Sequence, residues 1–136
     1  MTRHESREIA FSIIFQKNFH KDTEVEEIIT HNINSEFHKE SAFAIKVAQK
    51  TFENIEVIDE LIAKNLVGWS SKRISKVSNA ILRLATCEML YSDDVPVSVA
   101  INEAVEIAKK YSTKEDASYI NGVLGTIAKE VESQQQ

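Results

Sequence analysis

Arg3 and Arg7 stand four residues apart near the start of the chain, with His4 beside the first. On a helix that spacing places two guanidinium groups on one side, a turn apart. A guanidinium is planar, permanently charged and suited to bidentate bonding with phosphate. Two readings are open here. Either a protruding helix end directs both groups at a partner, or they are surface arginines bonded to Glu5 or Glu8. Tyr119 is the second candidate, in the stretch "ASYINGVLGTIAKE". Ala117, Leu124, Ala128 and Val131 centre an apolar helical face there, and Tyr119 falls off it, beside Thr126 and Glu130. A ring so placed can stack on an unpaired base. It can equally be an ordinary surface tyrosine, or a cover over a junction between lobes. Gly122 and Gly125 flank the same apolar face. Each costs a helix roughly 1 kcal/mol relative to alanine. Close approach of a neighbouring helix is the expected compensation, ahead of ligand contact.

Other chemistry finds little support. Glu24, Glu26, Glu27, Glu103 and Glu106 fit solvated helix faces. Cys87 lies in the apolar run "AILRLATCEML", which predicts a buried structural thiol. His4, His20, His31 and His38 have no ligand spacing with one another or with Cys87. "GVLG" matches a G-x-x-G pattern but lies inside one helix, not between two helices of an α/β fold. No enzyme, metal or cofactor is expected. The net charge of −5 opposes bulk attraction to nucleic acid, yet Leu61 to Cys87 holds five basic residues and no acidic one. A local patch can bind RNA on an acidic protein, because fields are local at physiological salt. On charge alone, solvated helix ends are the better reading.

The elements that carry these residues are helices. One proline and three glycines in 136 residues, with few alternating patterns, predict an all-α protein. Helix 1 is expected over about Arg3 to Phe19, apolar nearly all round and therefore central. "DTEVEEIITHNI" is the second, with Thr23 and Glu26 as a capping box. A long third helix over about Ser41 to Asn65 carries the stripe Ile45, Ala48, Phe52, Ile55, Ile58, Ile62. Gly68 and Trp69 mark a break, followed by a short helix around Ser71 to Ile74. Helices over about Val77 to Tyr91 and Ser98 to Tyr111 are joined by "SDDVPVS", and the opening stretch is the last. Arg83, Glu88, Asn102 and Glu103 are expected to form a polar network locking two antiparallel helices together. The whole reads as a single domain with lobes over about 1–66 and 67–136, roughly three helices and then four. No signal peptide or membrane span is expected, which makes the expected location cytoplasmic.

"AILRLATCEMLYSDDVPVSVAINEAVEIAKKYS" followed by "SYINGVLGTIAK" resembles the signature of the NusB family of transcription antitermination factors, and "RHESREIAFSIIFQ" resembles that family's first helix. The resemblance implies a compact all-helical bundle of two packed lobes. It implies two partners, boxA-like single-stranded RNA of ribosomal RNA leader transcripts and the ribosomal protein NusE. Together they help RNA polymerase read through terminators, with NusA and NusG. Carried over by motif, Arg3, His4 and Arg7 match the RNA-contacting helix start. Tyr119 matches the RNA-contacting aromatic before "NG", with Glu115 and Ser118 at neighbouring contact positions. Ser78, Asn79 and Leu82 fall in the NusE-facing segment. The competing reading is a purely protein-binding helical adaptor or homodimer with weak RNA affinity.

Overall fold

Seven α-helices make up the computed structural model, which describes residues 1–34, 41–66 and 74–134. They are α1 (Arg3–Lys17), α2 (Val25–Asn32), α3 (Ala42–Glu53), α4 (Ile55–Lys64), α5 (Lys76–Tyr91), α6 (Val97–Tyr111) and α7 (Lys114–Gln134). The expected short helix falls mainly on residues 71–73, outside the described residues, as do Gly68 and Trp69.

Short polar side chains cap the starts of three helices, α1, α5 and α7. The Thr2 hydroxyl accepts from the Glu5 N–H at 3.1 Å, the Ser75 hydroxyl from Ser78 at 3.0 Å, and the Thr113 hydroxyl from Asp116 at 3.0 Å. Each satisfies a donor that the first turn leaves free. The Thr23 capping box does not form: α2 begins after Glu24, with no side-chain cap. The long third helix is interrupted. Asn54 leaves helical geometry (φ −122°, ψ 26°), and its side-chain amide donates to the Lys50 carbonyl at 2.9 Å. Asparagine competes for backbone partners in this way, so an unbroken apolar stripe still spans two helices.

Packing makes α5 the central element. It contacts α1, α3, α4, α6 and α7, and Ala80, Ile81, Leu82, Leu84 and Ala85 are all buried. Helices α1 to α3 pack on one another, as do α5 to α7, which gives the two-lobed outline. A continuous core joins them, from Phe11, Ile14 and Val47 through Ile81 and Leu84 to Ile107, Leu124 and Ile127. A smaller cluster of Ile13, Ile28, Ile29, Ile33 and Ala48 seals α2 onto α1 and α3. Cys87 is buried beside the Val47 carbonyl at 3.7 Å, and burial pushes its thiol up to about 11, as suits a structural cysteine.

Among the described residues nothing packs closely on the two α7 glycines. A Cβ built on Gly122 or Gly125 would meet no described atom within 4 Å. The helical wheel places them correctly beside the apolar face, but no described neighbour presses on that flank. Gly122→Ala is therefore expected to stabilise the fold by roughly 0.5–1 kcal/mol, the gain in helix propensity without a clash. Thermal unfolding of the variant measures this, and a lower melting temperature would restore the packing role.

Candidate nucleic-acid interface

The first turn of α1 presents Arg3 at the surface, its guanidinium 4.2 Å above the centre of the Phe43 ring on α3. Arg7, one turn deeper, behaves differently. It is only 3% exposed. Its Nε donates to both Glu88 carboxylate oxygens, at 3.0 and 3.1 Å, and its Nη2 lies 2.9 Å from Glu88 Oε1. The expectation that both guanidiniums reach outward is corrected for Arg7. Where α1 crosses α5, the α1 side facing Glu88 is interior, and only the residue a turn earlier clears the rim. Burial pushes the Glu88 carboxyl above its usual range, against the opposing pull of Arg7. Glu5 and Glu8 take neither arginine. Glu8 bonds Lys110 on α6 at 2.7 Å, and that bond holds its carboxyl below the usual range.

His4 bonds through Nδ1 to Glu103 Oε2 of α6, so α1 is tied to α6 at both His4 and Glu8. The expected network between α5 and α6 is thereby redistributed. Glu88 and Glu103 both turn to α1, while Arg83 grips Asp59 of α4 with two bonds of 2.8 Å and reaches Asn18 at 3.2 Å. Among the described residues Asn102 takes no part and lies at the surface.

On α7, Glu115 and Ser118 are exposed. Tyr119 is half-buried and packs against the main core, so it does not stand clear of it as expected, and burial pushes its phenol up. It lines a concavity of about 370 Å³ with Asn65, Ser118, Gly122, Val123 and Thr126. Ser118 forms the ridge between this and a second groove of about 640 Å³, between α6 and α7. Asn102, Lys109, Lys114 and Asn121 line that second groove and are absent from the residues expected to contact RNA, Asn102 being expected in a structural network. Their signal was available, since Asn102 and Lys109, and Lys114 and Asn121, are each seven apart, two turns of one helix face.

The three residues expected to face a protein partner separate. Ser78 is 4% exposed and Leu82 fully buried, so neither offers a contact surface. Position 78 lies in the capped first turn of α5, and position 82 one turn on points into the core. Asn79 is half-buried and lines a concavity of about 480 Å³ with Asn18, Asp59, Lys76 and Arg83. Exposed Phe19 stands nearby, with Lys76 Nζ 4.4 Å from its ring centre. Among the described residues no cluster of His, Cys, Asp or Glu could hold a metal ion, and no helix is long and apolar enough to cross a membrane.

A family model described as NusB family matches residues 4–129. The transcription antitermination protein NusB of Acetivibrio thermocellus is 46% identical over 132 residues, covering 95% of this chain and 90% of that one. The Bacillus subtilis protein of the same name is 39% identical, covering 97% and 98%. A crystal form of T. maritima NusB superposes with a TM-score of 0.88 at 37% identity, over 96% of this chain and 92% of that one. One chain of a crystal structure of antitermination factors NusB and NusE with double-stranded RNA shares the fold, with a TM-score of 0.82 at 24% identity over 96% and 99%.

The buried pair makes a prediction of its own. Arg7→Ala strands the Glu88 carboxylate and should cost about 3–5 kcal/mol at neutral pH. A carboxyl raised above its ordinary 4.5 in the folded state favours folding when protonated, and loses that contribution as pH rises through the raised value. Losing Arg7 removes the opposing pull and enlarges the rise. The stability gap between parent and variant should therefore be widest near neutrality and narrow on acidification toward 4.5. Calorimetry across that range measures it, and a gap constant with pH would mean that charge at Glu88 is not what Arg7 stabilises.

Proposed function

The chain belongs to the NusB family of transcription antitermination factors, and on that premise we propose that it binds a boxA-like single-stranded RNA of ribosomal RNA leader transcripts together with NusE. In this reading it acts in the cytoplasm, with NusA, NusG and RNA polymerase, to carry transcription through terminators. Members of this family are not enzymes, and the work asked of the surface is recognition.

One arrangement carries the reading. Helix α6 lies between the start of α1 and the first half of α7. Glu103 on α6 receives His4, and the adjacent Asn102 shares a groove with Ser118. His4 is thus tied to α6 beside the residue that shares a groove with Ser118, with Arg3 preceding it on α1, Tyr119 following Ser118 on α7, and Glu115 a turn before Tyr119. Arg3 supplies a charge for phosphate, and half-exposed Tyr119 supplies a ring edge and part of a face for a base. Asn79, Lys76 and Phe19 form a separate surface that suits the NusE contact. Arg7 supports the RNA face by fixing α1, not by touching RNA.

Titration of a labelled boxA-like RNA, with and without NusE and at several salt concentrations, tests the proposal. Arg3→Ala should lower affinity and flatten the salt dependence by roughly 0.7 of a logarithmic unit, one phosphate contact on a single strand, with melting unchanged. Tyr119→Ala should weaken RNA binding about tenfold or more and also lower stability somewhat, since the ring is half-buried. Tyr119→Phe should retain nearly all of both. Parental salt dependence in Arg3→Ala would remove that residue from the interface. A protein that binds NusE or itself but no RNA would leave the protein-binding adaptor as the function.

A further inference from the structure

We propose that the groove between α6 and α7 is a nucleotide subsite that takes one splayed-out base of the bound RNA. The inference rests on the RNA-binding reading and assigns it residues beyond those that the family motif pointed to. The groove's volume of about 640 Å³ falls in the range of roughly 300–1,000 Å³ typical of small-molecule sites. Its chemistry is layered as a base requires. Val105 and buried Ala117 give it an apolar floor on which a ring face can rest. Asn102 and Asn121 stand on opposite helices at its rim, both exposed and without a hydrogen bond or ion pair among the described residues. A carboxamide offers a donor and an acceptor side by side, the pattern that pairs with a base edge. Unstacked RNA bases are recognised by such edge contacts.

The charge at the rim suits the linking phosphates. Lys109 and Lys114 flank the groove, against the single carboxylate of Glu106, which lies 3.4 Å from Lys109 Nζ in an exposed pair. Such a pair is weak and open to exchange for a phosphate. Ser118 connects this groove to the concavity of Tyr119, so a base in each would be successive or nearly so along one strand. An acidic peptide would meet the same lysines, but it has no use for two facing amides over an apolar floor.

The test uses the full chain with NusE and a labelled boxA-like single-stranded RNA, with an abasic site walked along it. The Asn102→Ala, Asn121→Ala double variant should bind about tenfold more weakly than parent. At one position the abasic RNA should bind parent about tenfold more weakly, yet cost the double variant almost nothing further, because the same interaction is already missing. Lys109→Ala with Lys114→Ala should flatten the salt dependence by about 0.7 for each phosphate no longer neutralised. Asn102→Asp with Asn121→Asp keeps the side-chain shape and removes the donors, so it answers the same question should the alanine pair fold poorly. If Arg3→Ala weakens binding but the groove variants match parent at every salt concentration, the subsite is overturned and the RNA reading stands. Reductions in affinity that add at every abasic position would also overturn it. A parent that binds no RNA overturns both.

Discussion

The bond between Arg7 and Glu88 is the constraint on which the arrangement of the surface depends. It joins α1 to α5 across 81 residues of sequence, and both side chains are almost wholly withdrawn from water. Taking two charges out of solvent is costly, and mutual attraction offsets it only when geometry is good. Here three short contacts from one guanidinium to one carboxylate supply that geometry. The pair is better understood as specifying one register of α1 than as a net source of stability. A slip of α1 along α5 would leave an unpaired charge in the core. With the register set, His4 meets Glu103 and Glu8 meets Lys110, and Arg3 is left at the rim.

That register also shapes the electrostatics of an acidic chain. The protein carries a net charge of −5, which repels nucleic acid at long range. Close to the surface the balance is different. Glu103 is bonded to His4, Glu8 to Lys110 and Glu106 to Lys109, so three of the carboxylates along α1 and α6 have a partner. Arg3 and Lys114 have no ion pair among the described residues. A phosphate within a Debye length, about 8 Å at physiological salt, senses that local arrangement more than the total. Binding on such a protein depends on contact chemistry and less on steering.

Much of the fold was legible because helix periodicity is strong wherever an apolar face is long. α1, α5 and α6 lie within about two residues of their expected bounds, while α7 begins about three residues before and ends about four after the expected stretch, and the all-helical class follows from the near absence of proline and glycine. The misses about which way side chains face share one physical origin. A helical wheel gives the direction of a side chain about its own axis, not what stands in that direction. Arg7 shares a side with Arg3, but α5 covers it one turn further along. Gly122 and Gly125 flank the apolar face, but no described neighbour arrives there. Leu82 is expected to face a partner, although α5 turns out to be surrounded and its leucine fully buried. The break at Asn54 is a different kind of miss, a local competition of one amide with the backbone inside an uninterrupted apolar stripe.

The glycine at position 122 then needs an account other than packing. In a helix it carries a propensity cost that no described contact offsets. It lines the concavity beside Tyr119, together with Asn65 and Thr126. A side chain there would project into open space. The absence of a Cβ therefore has no bearing on the core, and one placed there would meet no described atom, the Tyr119 ring included, within 4 Å. Only a longer side chain at position 122 would begin to fill the concavity that Tyr119 lines, so alanine there gains helix propensity and leaves that surface as it is.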